Sequence, residues 1–201
     1  EADVDAVVLD DTIGTLSNNT LLTIDASAWD DLYGNSIERV DVASAIAVTG
    51  FEADTVRPEL QSYDMFMNTS DGEHELPIRM SFTFDEVVRA STVNASALVL
   101  RSNTSSDALT YRLQSVTLDD VDGRVLLVNV SSDDRVGLKG VDTLAWFRNS
   151  TFLLVESTFV ADMAGNEVVG INASEAMQPN THDVDLVTPR VVAWTLNLTS
   201  E

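Results

Sequence analysis

Two stretches of this chain share one layout, an apolar run, a polar corner and a second apolar run. Residues 152–171 read FLLVESTFVADMAGNEVVGI and residues 21–40 read LLTIDASAWDDLYGNSIERV. Asp31, Gly34 and Asn35 stand where the later copy has Asp162, Gly165 and Asn166, and the copies lie 131 positions apart without a gap. The agreement extends outward, from Asp11-Thr12 with Asp142-Thr143 to Asp54-x-Val56-x-Pro58 with Asp185-x-Val187-x-Pro189. Gly, Pro, Asp and Asn dominate the matches, and these residues fix turns. A repeat of domain length predicts tandem domains.

The alternation of apolar and polar positions predicts mostly strands. In the earlier copy they fall near 21–26 and 46–51. Between the copies they are expected at 60–67, at 76–84 with Ile78, Met80, Phe82 and Phe84 alternating, at 97–101, at 109–116, and at 124–130 with Val125, Leu127 and Asn129 alternating. Later strands are expected at 152–159, 167–171 and 184–187. Residues 87–94 read as a polar turn in which Ser91 opens a helical turn, and 120–123 (DVDG) as a hairpin whose Gly123 takes a positive φ. Val136, Leu138, Val141, Leu144 and Ala145 recur at helical spacing, which predicts a short crossover helix, with Ser132, Asp133 and Asp134 as its cap. Many short strands, regular turns and one short helix predict an all-β chain of tandem immunoglobulin-like sandwiches. In that reading residues 1–57 are the C-terminal half of one unit, 58–188 a complete unit, and 189–201 the first strand of the next. Pro58 and Pro189 mark the junctions.

Composition narrows the function. The 201 residues carry 11 Lys plus Arg against 33 Asp plus Glu, a net charge of −22, which disfavours nucleic acid and anionic membranes as partners. No apolar run is long enough to span a membrane. There is no cysteine, and eight asparagines stand in Asn-X-Ser/Thr: Asn18, Asn68, Asn94, Asn103, Asn129, Asn149, Asn172 and Asn197. Chance supplies roughly two or three such sites at this Ser/Thr content, so the excess points to secretion and N-linked glycans. Asn18 and Asn149 occupy equivalent repeat positions.

The sequence TFDEVV followed by a polar turn, with a later DMAGNEV corner, resembles the SbsA-type Ig-like domains of prokaryotic surface layers. It is similar also to the tandem repeats of protist surface proteins such as those of tubular flagellar hairs (mastigonemes). The earlier copy departs from the corner motif with Tyr33 in place of Ala. The resemblance implies an Ig-like fold and a structural role at the cell surface, and it carries no catalytic residues.

Candidate chemistry is sparse. The corners Asp31-Gly34-Asn35 and Asp162-Gly165-Asn166, with Asp30, offer hard oxygen ligands for calcium, but a tight turn accounts for the same residues. Asp119, Asp120 and Asp122 form an acidic loop of the same kind. His74 and His182 sit at unrelated repeat positions, and no nucleophile elbow, phosphate loop or metal-spaced His/Cys cluster is present. Trp29, Trp146 and Trp194 read as core or junction residues. No enzyme is therefore expected. Residues 1–57 expose apolar faces and strand edges that water cannot satisfy, so the unit is expected to be completed either by further sequence of a longer tandem chain or by a neighbouring copy. The strand of Val191, Val192, Trp194, Leu196 and Leu198 is expected to dock on the N-terminal half of another copy, giving a head-to-tail filament. The alternatives are a surface layer of a salt-adapted microbe and a calcium-dependent adhesin module.

Overall fold

The computed structural model describes residues 9, 14, 16–67, 77–119, 121–186, 188, 191 and 193–196. Its strands are β1 (Leu21–Leu22), β2 (Ile46–Ala47), β3 (Leu60–Phe66), β4 (Arg79–Val88), β5 (Leu98–Arg101), β6 (Thr110–Arg112), β7 (Val116–Leu118), β8 (Gly123–Val130), β9 (Phe152–Val155) and β10 (His182–Asp183). One α-helix, α1 (Ser132–Lys139), occurs among the described residues. The fold is all-β. Strands β1 and β2 pair by themselves, a five-stranded sheet runs β10-β3-β4-β8-β7, and a three-stranded sheet runs β6-β5-β9. All pairs are antiparallel except β10 on β3, which is parallel.

The two larger sheets share one hydrophobic cluster. In β4, Met80, Phe82 and Phe84 point inward, as strict alternation requires. In β3, Leu60 and Tyr63 are three apart yet both buried, because the register with β4 shifts between Leu60 and Ser62. Such a bulge turns an odd spacing onto one face. From the other sheet come Leu98, Leu100, Leu153 and Val155. Phe159, just after β9, bridges the layers, its ring 5.2 Å from that of Phe82, which also stacks on Tyr63 at 6.1 Å. Each such side chain contributes about 1.5–3 kcal/mol by leaving water.

Several expectations are corrected. In β8 the buried residues are Leu126, Val128 and Val130, while Val125 and Leu127 face outward. Residues 109–116 are not one strand: β6 and β7 belong to different sheets, with buried Leu113 at the crossing. Gly123 begins β8 and is not among the positive-φ glycines. The helix starts earlier than 136 because Ser131, not the three residues after it, caps it, its Oγ accepting from the Asp134 N–H (3.2 Å); Gly140 ends it. Asp134 is buried and serves elsewhere, its carboxylate accepting from the Gln114 and Ser115 N–H groups (2.9 and 2.8 Å) and the Tyr111 hydroxyl (3.0 Å). The strand expected at 152–159 ends at Val155 and turns into a 3-10 helix, Ser157–Phe159. Residues 167–171 hold only isolated bridges; among the described residues the last strand is His182–Asp183, and 184–186 are not strand, while Val187 lies outside the described residues. Strand β4 starts at Arg79 and runs on to Val88, so 87–88 are strand; the helical turn expected after them is present as a 3-10 helix, Ala90–Thr92, which starts one residue before Ser91. None of the three tryptophans is in the core: Trp29, Trp146 and Trp194 are all exposed.

The sequence repeat is also a repeat of backbone pairing. The bridges Leu153↔Met177, Val155↔Ile171 and Ala161↔Glu167 recur as Leu22↔Ile46, Ile24↔Val40 and Asp30↔Ser36. The Val168 N–H donates to the Val160 carbonyl (2.9 Å), as Ile37 does to Trp29 (3.0 Å). Burial is what differs. Leu153 and Val160 are buried in the hydrophobic cluster shared by the two larger sheets, whereas Leu22 and Trp29 are 54% and 59% exposed. Leu153→Ala is expected to destabilise the chain by about 2–5 kcal/mol in a urea melt. Leu22→Ala, at the equivalent position, is expected to change stability by less than about 0.5 kcal/mol in the dispersed chain.

Candidate functional site

The corners are built alike. In the later one, Asp162 Oδ1 accepts from the Asn166 N–H and Oδ2 from its Nδ2, both at 2.8 Å, while Gly165 holds φ +95°. In the earlier one, Asp31 accepts the same two bonds from Asn35 at 2.9 Å, and Gly34 holds φ +82°. A Cβ at either glycine would meet nothing, so the glycine is required by its backbone angle alone. The Asn35 side chain and its backbone amide hold the exposed Asp31 carboxyl below its usual range. Asp30 contributes only backbone, in its bridge to Ser36.

Among the described residues, only the later corner gathers further carboxylates into a cluster. Asp162 is buried and bridged to Val88 at the end of β4, and one carboxylate oxygen each from Asp162, Glu86 and Asp54 lies within 4.8 Å of the others. Asp54 arrives from the junction, where its carbonyl accepts from Asn166 Nδ2 (3.2 Å). The junction is bound closely to the corner. Arg57 donates from Nε to the Glu167 carbonyl (2.7 Å) and from Nη2 to the Val168 carbonyl (2.6 Å), and the Val169 N–H donates to the Pro58 carbonyl (2.9 Å). Glu86 carries the strain of this arrangement. Its Oε1 is buried without a hydrogen-bond partner, and burial, then Asp162, Asp54 and Asp85, push its carboxyl up to about 7. The three carboxylates have the hard-oxygen chemistry that suits a divalent cation. Glu86 had no sequence signal beyond an acidic pair, Asp85-Glu86, closing an alternating strand. Asp54 was visible as a repeat match.

Of the sequon asparagines, Asn18, Asn94, Asn103, Asn149 and Asn172 are exposed, and Asn129 is half-buried on β8 opposite Arg79 and Thr117. Asn68 and Asn197 lie outside the described residues. Asn94, Asn103 and Asn172 each accept from the N–H of the serine two residues on, at 3.2, 2.7 and 2.9 Å, and from its hydroxyl. Asp25 makes the same pair of bonds to Ser27. Aspartate therefore satisfies this turn as well as asparagine does, and turn chemistry leaves the asparagine excess unexplained.

The remaining candidates are scattered. His182 on β10 is turned through one ring nitrogen, Nε2, to the Ala145 carbonyl (3.1 Å), and burial pulls its pKa down. Asp122 accepts from the Ala90 N–H (2.7 Å), and Asp119 stands at the end of β7. Trp146 lines a cavity of about 400 Å³ with Met67, Phe147 and Leu186. Pro58 is buried at the junction, and Val191, Trp194 and Leu196 are exposed. His74, Asp120, Pro189, Val192 and Leu198 lie outside the described residues. Among the described residues no helix is long and apolar enough to cross a membrane. Compared with known proteins, the chain matches no family model, no curated protein and no solved structure.

The raised Glu86 pKa fixes a pH dependence. The folded state holds this proton to about pH 7, whereas the unfolded chain releases it near 4.5, so the folded state binds more protons between those values. Stability contributed by this group is full at low pH and is lost as pH rises through that window. Glu86→Gln is expected to raise the melting temperature by several degrees at about pH 8 and to leave it unchanged near pH 4.

Proposed function

We propose that this chain is a structural subunit of an extracellular, N-glycosylated filament, built from tandem Ig-like units and joined head to tail by strand addition. One observation carries the reading: residues 16–57 repeat the backbone pairing of the buried second half of the complete unit, yet leave the same apolar positions in water. Leu21, Leu22, Trp29 and Ile46 are each more than half exposed. Those faces and edges are stable only when another sheet covers them. The Ig-like reading is supported by two sheets closing over one core with a short crossover helix between them.

Exposure of five sequon asparagines supports glycosylation and a location outside the cell or at its surface. Its partner is a further copy of itself. The mechanism is mechanical and steric. Units in series carry load, while glycans and the net charge of −22 hold neighbouring fibres apart and disfavour nucleic acid. No catalytic residue enters this account.

Electron microscopy of native, undissociated material tests it. Uniform thin filaments with a repeat of one or two domains are expected. Lattice sheets would favour a surface layer of a salt-adapted microbe instead, and isolated particles would overturn assembly altogether. A calcium-dependent module would instead show a large rise in melting temperature with calcium, abolished by Asp162→Asn. Mass spectrometry before and after enzymatic deglycosylation is expected to show a mass loss of several glycans per chain, with Asn converted to Asp at the occupied sequons.

A further inference from the structure

The complete unit contains a template for the joint. Its first strand, β3, lies parallel to the returning chain: the Met65 and Met67 N–H groups donate to the Thr181 and Asp183 carbonyls (both 2.9 Å), and the Asn180 N–H donates to the Tyr63 carbonyl (2.7 Å). The Asp64 carboxylate takes the Thr181 N–H (2.8 Å). One repeat earlier, the returning segment is Thr49–Glu52, exposed throughout. One repeat later, Leu60, Tyr63 and Met65 become Val191, Trp194 and Leu196, which are 85%, 76% and 64% exposed. Even the odd three-residue spacing that the β3 bulge accommodates recurs, as Val191 to Trp194. Among the described residues, neither Thr49–Glu52 nor 193–196 belongs to a strand or a sheet, although the equivalent segments of the later repeat pair with each other.

We propose that Val191–Leu196 of one copy adds as a parallel strand along Thr49–Glu52 of a second copy, with Leu196 opposite Phe51. This rests on the filament reading above and gives it an edge, a direction and a register. The template register, His182 opposite Met65, sets Phe51 opposite Leu196 and Gly50 opposite Thr195. The Thr49 N–H then donates to the Trp194 carbonyl and the Leu196 N–H to that of Gly50. The Thr195 hydroxyl stands where Asp64 accepts an N–H, and a hydroxyl accepts that bond too. The tail segment VVAWTL is uncharged in a chain of −22, so nothing in it opposes contact between two acidic copies. Polarity favours a second copy over the chain's own segment. Strands β3 and β10 run in one direction, so the chain leaves β10 at the end of β3 opposite Pro58, whereas Thr49–Glu52 precedes Pro58 in sequence. To pair in parallel with its own segment the chain would have to return to that end.

The absence of cysteine from residues 1–201 makes the register testable by crosslinking this chain. Opposed residues on neighbouring strands sit about 5 Å apart, within disulfide reach. Phe51→Cys and Leu196→Cys chains, differently tagged, mixed and oxidised, are expected to give mixed-chain disulfides about tenfold faster than Phe51→Cys with Trp194→Cys. Gly50→Cys with Thr195→Cys is a second pair, and Gly50 has open space around a new Cβ. Filaments in which neither opposed pair crosslinks preferentially would overturn the register while leaving head-to-tail assembly standing. A disulfide within a single double-cysteine chain would overturn the second copy as occupant. Failure of both variants and unmodified chain to assemble would overturn register and filament together.

Discussion

A β-strand with one apolar face is stable only when a second sheet covers that face and a neighbouring strand satisfies its edge. In residues 60–183 both conditions hold: Leu153 and Val155 pair with β5 and share one hydrophobic cluster with the inward residues of β3 and β4, and Phe159 packs its ring on Phe82 of the other sheet. In residues 16–57 the same local bonds form without the cover. Local structure and burial are thereby separated within one chain, because the corner is held by Asp31 and Asn35 whether or not anything lies above it. The corner is self-sufficient, and the apolar face beside it is not.

The corner was legible in the sequence because its determinants are local. An aspartate bonding an asparagine four residues on, with glycine between them at a positive φ, leaves a mark within five residues. The inward face of β4 was legible for a similar reason, since polar residues separate Met80, Phe82 and Phe84. The phase of β8 was not, because RVLLVNV is apolar on both faces and a period of two gives no preference between Val125-Leu127 and Leu126-Val128. The division of 109–116 between two sheets was equally hidden. It depends on Asp134, some twenty residues away, pinning the Gln114 and Ser115 amides.

Glu86 lay beyond sequence reasoning for a different reason. Its setting is made by three separated segments: the register shift after Thr83, the corner at Asp162 and the junction at Asp54. An acidic pair closing a strand usually faces water. Here the junction folds back on the corner through Arg57, which brings Asp54 beside two carboxylates and leaves a buried oxygen without a donor. The stretch that links the two repeats is thus also where a buried carboxylate oxygen is left without a hydrogen-bond donor.

The parallel pairing of β10 on β3 has a mechanical consequence. A chain that enters a unit along β3 and leaves along β10 in the same direction transmits tension along both strands at once. The pull runs perpendicular to the hydrogen bonds between them, so the bonds strain together in shear instead of peeling one at a time. A two-residue strand would unzip readily as a hairpin. Loaded sideways in concert with the flanking Met65, Met67 and Asn180 bonds, it acts as a clasp.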